Sequence, residues 1–176
     1  PFTVEKRDGV MHALNRQGWN VWVDTTPAPL QFEHKQTYGA NEGAGPAFLG
    51  GIRGVAVGDS GRVYVLDDEN HRLVAFNSDG SVHWSSGRKG QGPGEFQDPS
   101  GLIAGPSRLY VENQYGQQID IWTTGGDFVD RHTFQEEMSP ADLVGFAENY
   151  LIVSETGFGD APQRIHALDP SSWERE

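Results

Sequence analysis

Apolar residues along this chain come in short runs separated by turn-forming residues. Runs such as VYVL at 63–66 and LVAF at 73–76 have the length of a strand, and the segments between them supply Gly, Asn, Asp and Pro. No segment keeps an apolar period of 3.6 residues over roughly ten residues, because the best candidate, 138–146, is interrupted by Pro140 and Gly145. The pattern predicts an all-β protein built from many short strands.

This strand pattern recurs with a period of about 46 residues. A first strand appears as GRVYV at 61–65, SRLYV at 107–111 and, more weakly, NYLIV at 149–153. A second strand follows each copy as LVAF at 73–76, IDIW at 119–122 and IHAL at 165–168. Repetition at this length is typical of solenoids and propellers, in which each repeat is one structural unit.

A glycine-rich loop repeats at nearly the same spacing. EGAGPAF at 42–48 matches GQGPGEF at 90–96. An inner strand follows each loop, at 54–57 and 101–104, and three more strands lead to the next loop. Four strands per repeat is the pattern of a β-propeller blade, so we expect about three to four blades in this chain.

The N-terminal residues 1–30 differ from the repeats, and we separate them from the blades at 31–176. Positions 3–15 predict a hairpin that turns at Asp8 and Gly9, a strong hairpin dipeptide. Trp19 and Trp22 lie in the apolar run that precedes Pro27 and Pro29. We expect residues 3–15 to complete or flank a blade.

Composition and charge narrow the range of functions. The 176 residues include 23 Gly and 10 Pro, which suits tight turns, and no Cys, which excludes disulfides and thiolate metal sites. A formal net charge of −12 argues against nucleic acid as a partner, because binding to phosphates depends on Lys and Arg. No apolar run approaches the roughly 20 residues of a membrane span. The chain begins at Pro1 rather than Met, which favours a preceding leader or anchor and export.

The run DSGRVYVLD at 59–67, followed by NHRLVAF at 70–76, resembles the NHL repeat of six-bladed β-propellers. The loop GRKGQGPGEF at 87–96 is similar to the linker between blades in exported bacterial members. The resemblance covers roughly residues 38–169 and fades in the second and third units. It implies a propeller, and it implies that Asp and Arg of this run tie strands or blades together. Six blades of about 46 residues would need about 280 residues, so the chain is part of a larger ring, a short propeller or an open arc.

The densest acidic group is the best candidate for a metal site. Asp59, Asp67 and Glu69 are the candidate ligands of a calcium ion, which prefers carboxylate oxygens. No His pair has zinc-ligand spacing, no Ser lies in a Gly-x-Ser-x-Gly elbow, and the loop 90–94 lacks the residues of a phosphate-binding loop. We therefore predict no catalytic residue and no cofactor other than calcium. Trp19 and Trp22 are the candidate interface residues, since Trp is enriched at interface hot spots.

These observations favour a non-enzymatic protein-binding or assembly module. We expect an accessory subunit in the periplasm or outside the cell, partnered by other protein subunits such as those of a membrane-bound complex. We expect no transmembrane segment in the chain itself. The alternatives that stay open are a calcium-dependent lactonase-like hydrolase and a binder of small ligands in the central channel, since propellers host many activities.

Overall fold

The computed structural model describes residues 33–40, 43, 45–134, 141–155 and 164–173, together with the backbone of three N-terminal strands. The chain divides into two compact units, Pro1–Lys35 and Gln36–Glu176. Every regular element in the described residues is a β-strand, which confirms the all-β prediction. None of these residues forms a helix that could cross a membrane.

In the first unit, the described backbone forms an antiparallel sheet of three strands in the order β1-β2-β3. Its strands are β1 (Thr3–Arg7), β2 (Val10–Leu14) and β3 (Asn20–Trp22). The last residue of β1, Arg7, is the register partner of Val10, so the first two strands form a hairpin. Whether this hairpin completes or flanks a blade stays a prediction.

The described residues of the second unit form three antiparallel sheets, in which each strand pairs with the next one along the chain, and one short parallel sheet. Blade 1 comprises β4 (Ile52–Val57), β5 (Val63–Asp67), β6 (Arg72–Phe76) and β7 (Val82–Ser86). Blade 2 comprises β10 (Gly101–Ala104), β11 (Arg108–Asn113), β12 (Gln118–Thr123) and β13 (Phe128–Thr133). Blade 3 comprises β14 (Ala141–Ala147), β15 (Tyr150–Glu155) and β16 (Arg164–Leu168).

The repeat of about 46 residues corresponds to these sheets. Blades 1 and 2 are each an antiparallel sheet of four strands, as predicted for the units of a propeller. The loop between blades 1 and 2 adds two short parallel strands, β8 (Arg88–Lys89) and β9 (Glu95–Phe96). Gly87 leads into this loop with φ at +105°, a conformation that glycine adopts without steric cost.

Apolar side chains fill the spaces between blades. Because alternate residues of a strand face opposite sides of the sheet, blade 2 has one face toward blade 1 and the other toward blade 3. Tyr64 and Leu66 of blade 1 pack with Leu109 and Val111 of blade 2 and with Phe96 of the connecting loop. Between blades 2 and 3, the buried residues are Tyr110, Ile119, Ile121, Leu151, Val153 and Leu168.

The first inner strand differs from its counterpart in the next blade. Leu102 on β10 is 8% exposed because it packs against blade 1. Val55, which occupies the equivalent position on β4, is 55% exposed, and Val57 is 65% exposed. An apolar strip on β4 is thus open to solvent. Ile165 on β16 of blade 3 is likewise an exposed apolar residue, at 72%.

Candidate functional site

One end of blades 1 and 2 carries both the connecting loops and the turns between second and third strands. We call this end the loop face, defined by residues 43, 45–51, 68–71, 87–100 and 114–117. Ile52 begins β4 there and is the register partner of Asp67, the last residue of β5. Gly101 begins β10 there and is the partner of Glu112. Residues far apart in sequence therefore meet at this end.

A buried carboxylate organises the loop face of blade 1. Asp67 is fully buried, and its Oδ1 accepts hydrogen bonds from the backbone N–H groups of Gly50 and Gly51 at 3.0 and 3.1 Å. Its Oδ2 accepts hydrogen bonds from Asn70 at 2.8 Å and Arg72 at 3.0 Å. Burial opposes ionisation of this carboxyl, but these hydrogen bonds outweigh it and lower its pKa. The ionised Asp67 thus ties the first connecting loop to strands β5 and β6.

In blade 2, a buried ion pair also holds the preceding loop, but its arginine lies on a different strand than in blade 1. Asn113, at the position equivalent to Asp67, donates a hydrogen bond to the buried Asp120 at 2.9 Å. Arg131 on the outer strand β13 donates to both oxygens of Asp120, and it also donates to the carbonyl oxygens of Gln91, Gly92 and Glu95. The hydrogen bonds to Asp120 raise the pKa of Arg131 against the effect of burial. In each of these blades a buried ion pair fixes the preceding loop.

The candidate calcium ligands lie at two ends of the blade. Asp59 lies in the turn between β4 and β5, whereas Asp67 ends β5 and Glu69 follows it, so Asp59 is separated from Asp67 by the length of β5, about 15 Å. Among the described residues, no three His, Cys, Asp or Glu side chains are grouped so as to hold a metal ion. Asp67 already accepts four hydrogen bonds and would have to exchange some of them to bind calcium. Calcium binding stays a prediction.

The candidate interface residues fall in the N-terminal unit. Trp22 is the last residue of β3, and Trp19 lies outside the described residues. Their role as interface residues stays a prediction. Two tryptophans of the blades have structural positions instead, since Trp122 is buried between blades 1 and 2 and Trp84 donates its Nε1–H to the carbonyl oxygen of Thr124 at 3.1 Å.

A groove of about 350 Å³ opens on the loop face at the junction of blades 1 and 2. We call it the junction groove, and it is lined by His71, Lys89, Gly90, Gln91, Gln97 and Asp98. Nδ1 of His71 and Oε1 of Gln97 are buried atoms without a hydrogen-bond partner. Native structures rarely leave a buried polar atom unpaired, and an unseen water or ligand is a common explanation. Two residues that line the groove thus each keep one buried polar atom without a partner in the described part of the chain.

Backbone strain is concentrated beside this groove. Seven non-glycine residues of the described chain have positive φ. Two of them, His71 and Asp98, line the groove, and two more, Gln114 and Tyr115, donate backbone hydrogen bonds to groove residues. A side chain in the left-handed region costs about 1–2 kcal/mol, because Cβ approaches the backbone. Such strain often marks functional positions, where the surrounding contacts hold it in place.

Tyr115 projects from this strained turn. Backbone hydrogen bonds from Gln114 N–H to the Gln97 carbonyl at 2.9 Å and from Tyr115 N–H to the Asp98 carbonyl at 3.5 Å connect the turn to the loop. The tyrosine itself is 69% exposed. The sequence analysis did not identify it, although an aromatic residue in a turn between two strands is an available signal.

The sequence analysis also did not identify Glu112, a buried carboxyl between blades 2 and 3. It is 4% exposed, and it accepts hydrogen bonds from Ser100 Oγ at 2.5 Å and from Leu143 N–H at 3.2 Å. Burial raises its pKa, the two hydrogen bonds oppose that effect, and the nearby Asp142 adds to it. Alignment at the repeat period places Glu112 where blade 1 has the buried Leu66, and this contrast was visible in the sequence.

The comparison with protein families gives one match. Residues 49–76 match the NHL repeat, the same segment that contains Asp67 and Arg72. No curated protein matches the chain by sequence.

Solved structures resemble this chain in fold at low sequence identity. A Bacteroides fragilis protein described as a candidate exported protein is 15% identical with a TM-score of 0.61, covering 79% of this chain and 40% of its own. A streptogramin B lyase is 14% identical with a TM-score of 0.57, and the match covers 94% of this chain and 46% of the lyase. Hydrazine synthase of Kuenenia stuttgartiensis is 12% identical with a TM-score of 0.54, and the match covers 83% of this chain and 38% of the synthase chain. The chain spans less than half the length of each.

At these identities the likeness concerns the fold alone. The repeat match and the structural likeness together confirm the resemblance drawn from residues 59–76. The chain contains an NHL repeat and has the fold of a β-propeller.

Proposed function

We propose that this chain is a non-enzymatic protein-binding module that contacts its partner through the loop face. The observation that carries the proposal is Tyr115, an aromatic residue held 69% exposed by a strained turn. Tyrosine offers a large rigid surface with a polar tip, and it is enriched among residues that dominate binding energy.

The rigidity of this part of the loop face supports the same function. The Asp120–Arg131 ion pair holds the loop beside Tyr115 through three carbonyl oxygens, and Asn113 accepts a hydrogen bond from Gln97 N–H at 2.9 Å. A surface fixed before binding loses little conformational freedom on association. A fixed aromatic residue beside a polar groove suits recognition of another protein.

The finer proposal is an exported accessory subunit of a larger assembly, such as a membrane-bound one. The absence of cysteine fits either side of a membrane, and the likeness to a candidate exported protein supports export by analogy of fold only. The other subunits would supply the surface that meets Tyr115. Nucleic acid is excluded from the proposal because of the net charge of −12.

The test places a photoreactive phenylalanine analogue at position 115 of the protein in its native cells. The matched control carries the same analogue at Ser78, an exposed residue in the turn at the opposite end of blade 1. We expect ultraviolet light to join a defined protein to position 115 and not to position 78. Equal labelling at the two positions, or none at 115, would contradict the proposal.

The alternative of a calcium-dependent lactonase-like hydrolase is tested by a thermal shift experiment. An ion bound only by the native state raises the melting temperature as its concentration increases. A rise at millimolar calcium that magnesium does not reproduce, lost on replacing Glu69 by Gln, would favour the alternative. Unchanged melting in calcium would remove its main support.

A further inference from the structure

Blade 2 carries two ionisable groups in one row on the face that packs against blade 3. The register partners that form this row across its four strands are Gly101, Glu112, Ile119 and His132. Glu112 is 4% exposed, and it accepts a hydrogen bond from the N–H of Leu143 in blade 3 at 3.2 Å. The row thus brings a carboxyl group and an imidazole to the interface between blades 2 and 3.

His132 contacts blade 3 through an aromatic stack. Its ring lies on the ring of Trp173 with centroids 4.1 Å apart and planes at 11°, and it meets Phe134 edge to face at 4.8 Å. Trp173 follows β16 and packs with the buried residues of this interface. Burial lowers the pKa of His132, and the nearby Asp130 opposes this effect only in part.

The equivalent row of blade 1 contains no ionisable side chain. Its register partners are Gly54, Leu66, Leu73 and Ser86. Leu66 and Leu73 are fully buried in the interface with blade 2. The two interfaces are therefore built on the same strand positions, but only the interface between blades 2 and 3 has a carboxyl group and an imidazole in this row.

Other charged groups along this interface do not neutralise Glu112 or His132. The other ionisable side chains that lie along it are Tyr110, Asp130, Asp142, Glu155, Arg164, His166 and Asp169. Glu155 and His166 contact each other at 2.8 Å, and Asp142 adds to the raised pKa of Glu112. Among the described residues, neither Glu112 nor His132 forms an ion pair. A charge on either group is thus removed from water without a salt-bridge partner, which costs free energy.

We propose that the interface between blades 2 and 3 is a pH-sensitive joint that loosens when Glu112 or His132 becomes charged, while the interface between blades 1 and 2 stays closed. This inference goes beyond the proposed function and does not depend on it. Because the pKa of His132 is lowered, its contribution to the closed joint is complete above the ordinary value of 6.5 and is lost as pH falls. Because the pKa of Glu112 is raised, its contribution is complete below the ordinary value of 4.5 and is lost as pH rises.

The test measures hydrogen–deuterium exchange of the full chain by mass spectrometry between about pH 5 and pH 8. Each exchange rate is divided into that of the unfolded chain at the same pH, which removes the chemical effect of pH on exchange. The resulting protection factors of peptides from β15 and β16 report opening of the joint. Peptides from β5 and β6 report the stability of blade 1.

Two variants separate the two groups. In Glu112→Gln only His132 still titrates, so we expect the protection of blade 3 to fall with decreasing pH, by at most about tenfold per pH unit because one proton is taken up. In His132→Phe, which keeps an aromatic ring on Trp173, we expect protection to fall with increasing pH. His83→Phe is the matched control, because His83 is an exposed histidine on β7.

The outcomes are distinct. Opposite pH slopes of the two variants in blade 3, without a matching change in blade 1, would support the joint. Equal changes in both blades would mean that the two groups act on the whole fold, and would overturn the proposal. Slopes that neither variant alters, or that His83→Phe alters equally, would overturn it too. Comparison of His132→Phe with the original chain keeps the test decisive if Glu112→Gln fails to fold.

Discussion

Two buried carboxyls of this protein have pKa values shifted in opposite directions, because their hydrogen-bond partners differ. Asp67 and Glu112 are both buried, but four donors surround Asp67, and one of them is the cation Arg72. Glu112 has two neutral donors and an acidic neighbour, Asp142. The environment thus favours the ionised form of Asp67 and the protonated form of Glu112.

Replacing Asp67 by Ala is expected to lower the free energy of unfolding by about 3–5 kcal/mol, because Arg72 and two backbone N–H groups lose a buried partner. Asp68→Ala is the control. Its ion pair with Arg53, at 3.2 Å, is exposed on the arginine side, so we expect less than about 1 kcal/mol. Urea denaturation of the three proteins measures both effects, and equal losses for the two variants would disprove the structural role of Asp67.

The raised pKa of Glu112 predicts that the free energy of unfolding depends on pH. Its pKa is raised in the folded state, so its contribution to stability is complete below the pKa of the unfolded chain and is lost as pH rises through the folded-state pKa. Glu112→Gln, which stays neutral, is therefore expected to gain in melting temperature relative to the original protein as pH rises from 4 to 8. A constant difference between the two proteins over this range would refute the prediction.

At the scale of elements, the loop between the blades depends on a glycine. A Cβ at position 87 would lie 2.5 Å from Cε2 of the buried Phe96, and φ is +105°. Phe96 stacks on Trp122 with ring centroids 5.4 Å apart and so has little freedom to move. The conformation of the loop and the packing of the blades are thus linked through one position.

Gly87→Ala is expected to lower the free energy of unfolding by about 2–4 kcal/mol, since strain adds to overpacking. Gly125→Ala is the matched control, because a Cβ there meets its nearest atom at 3.4 Å and the residue lacks a positive φ. The control should be neutral or slightly stabilising. Thermal denaturation compares the two, and a Gly87→Ala variant as stable as the control would contradict the packing described for Phe96.

At the scale of the molecule, apolar residues stay exposed at both ends of the three-blade unit. These residues are Ile52, Val55 and Val57 on β4, Val144 on β14 and Ile165 on β16, and each is more than half exposed. Exposed apolar surface favours association, and the equivalent surfaces inside the unit are covered by a neighbouring blade.

The 176-residue chain is therefore expected to associate as its concentration increases. Val57→Asp should weaken this association without lowering the melting temperature, because the residue is 65% exposed. Ser78→Asp adds the same charge to a polar turn and serves as the control. Sedimentation velocity measures the effect, and a chain that is monomeric at every concentration would show that these residues do not drive association.

Much of this architecture was predictable from the sequence, because local patterns encode it. Short alternating runs, turn residues and the spacing of GRVYV and SRLYV depend on neighbours within one blade, and they predicted the strands and the propeller fold. The NHL-like run 59–76 likewise predicted that Asp and Arg tie strands together, as Asp67 and Arg72 do.

The candidate site was less predictable, because it is formed by residues from two blades. Gln97 and His71 lie 26 positions apart in the sequence and line one groove only because blade 1 packs on the loop that leads to blade 2. Arg131 on the outer strand replaces the arginine that blade 1 carries on its third strand, and no repeat spacing indicates this.

Hydrophobic alternation and turn chemistry act over a few residues, so the amino-acid sequence already specifies the strands, the repeat and the blade. Packing between the blades and loops sets which carboxylates are buried, which polar atoms remain unpaired and which valines stay exposed. Val55 and Leu102 occupy equivalent positions in two repeats, yet one is 55% exposed and the other 8%. Burial depends on what packs against a strand, and a local pattern does not contain that information.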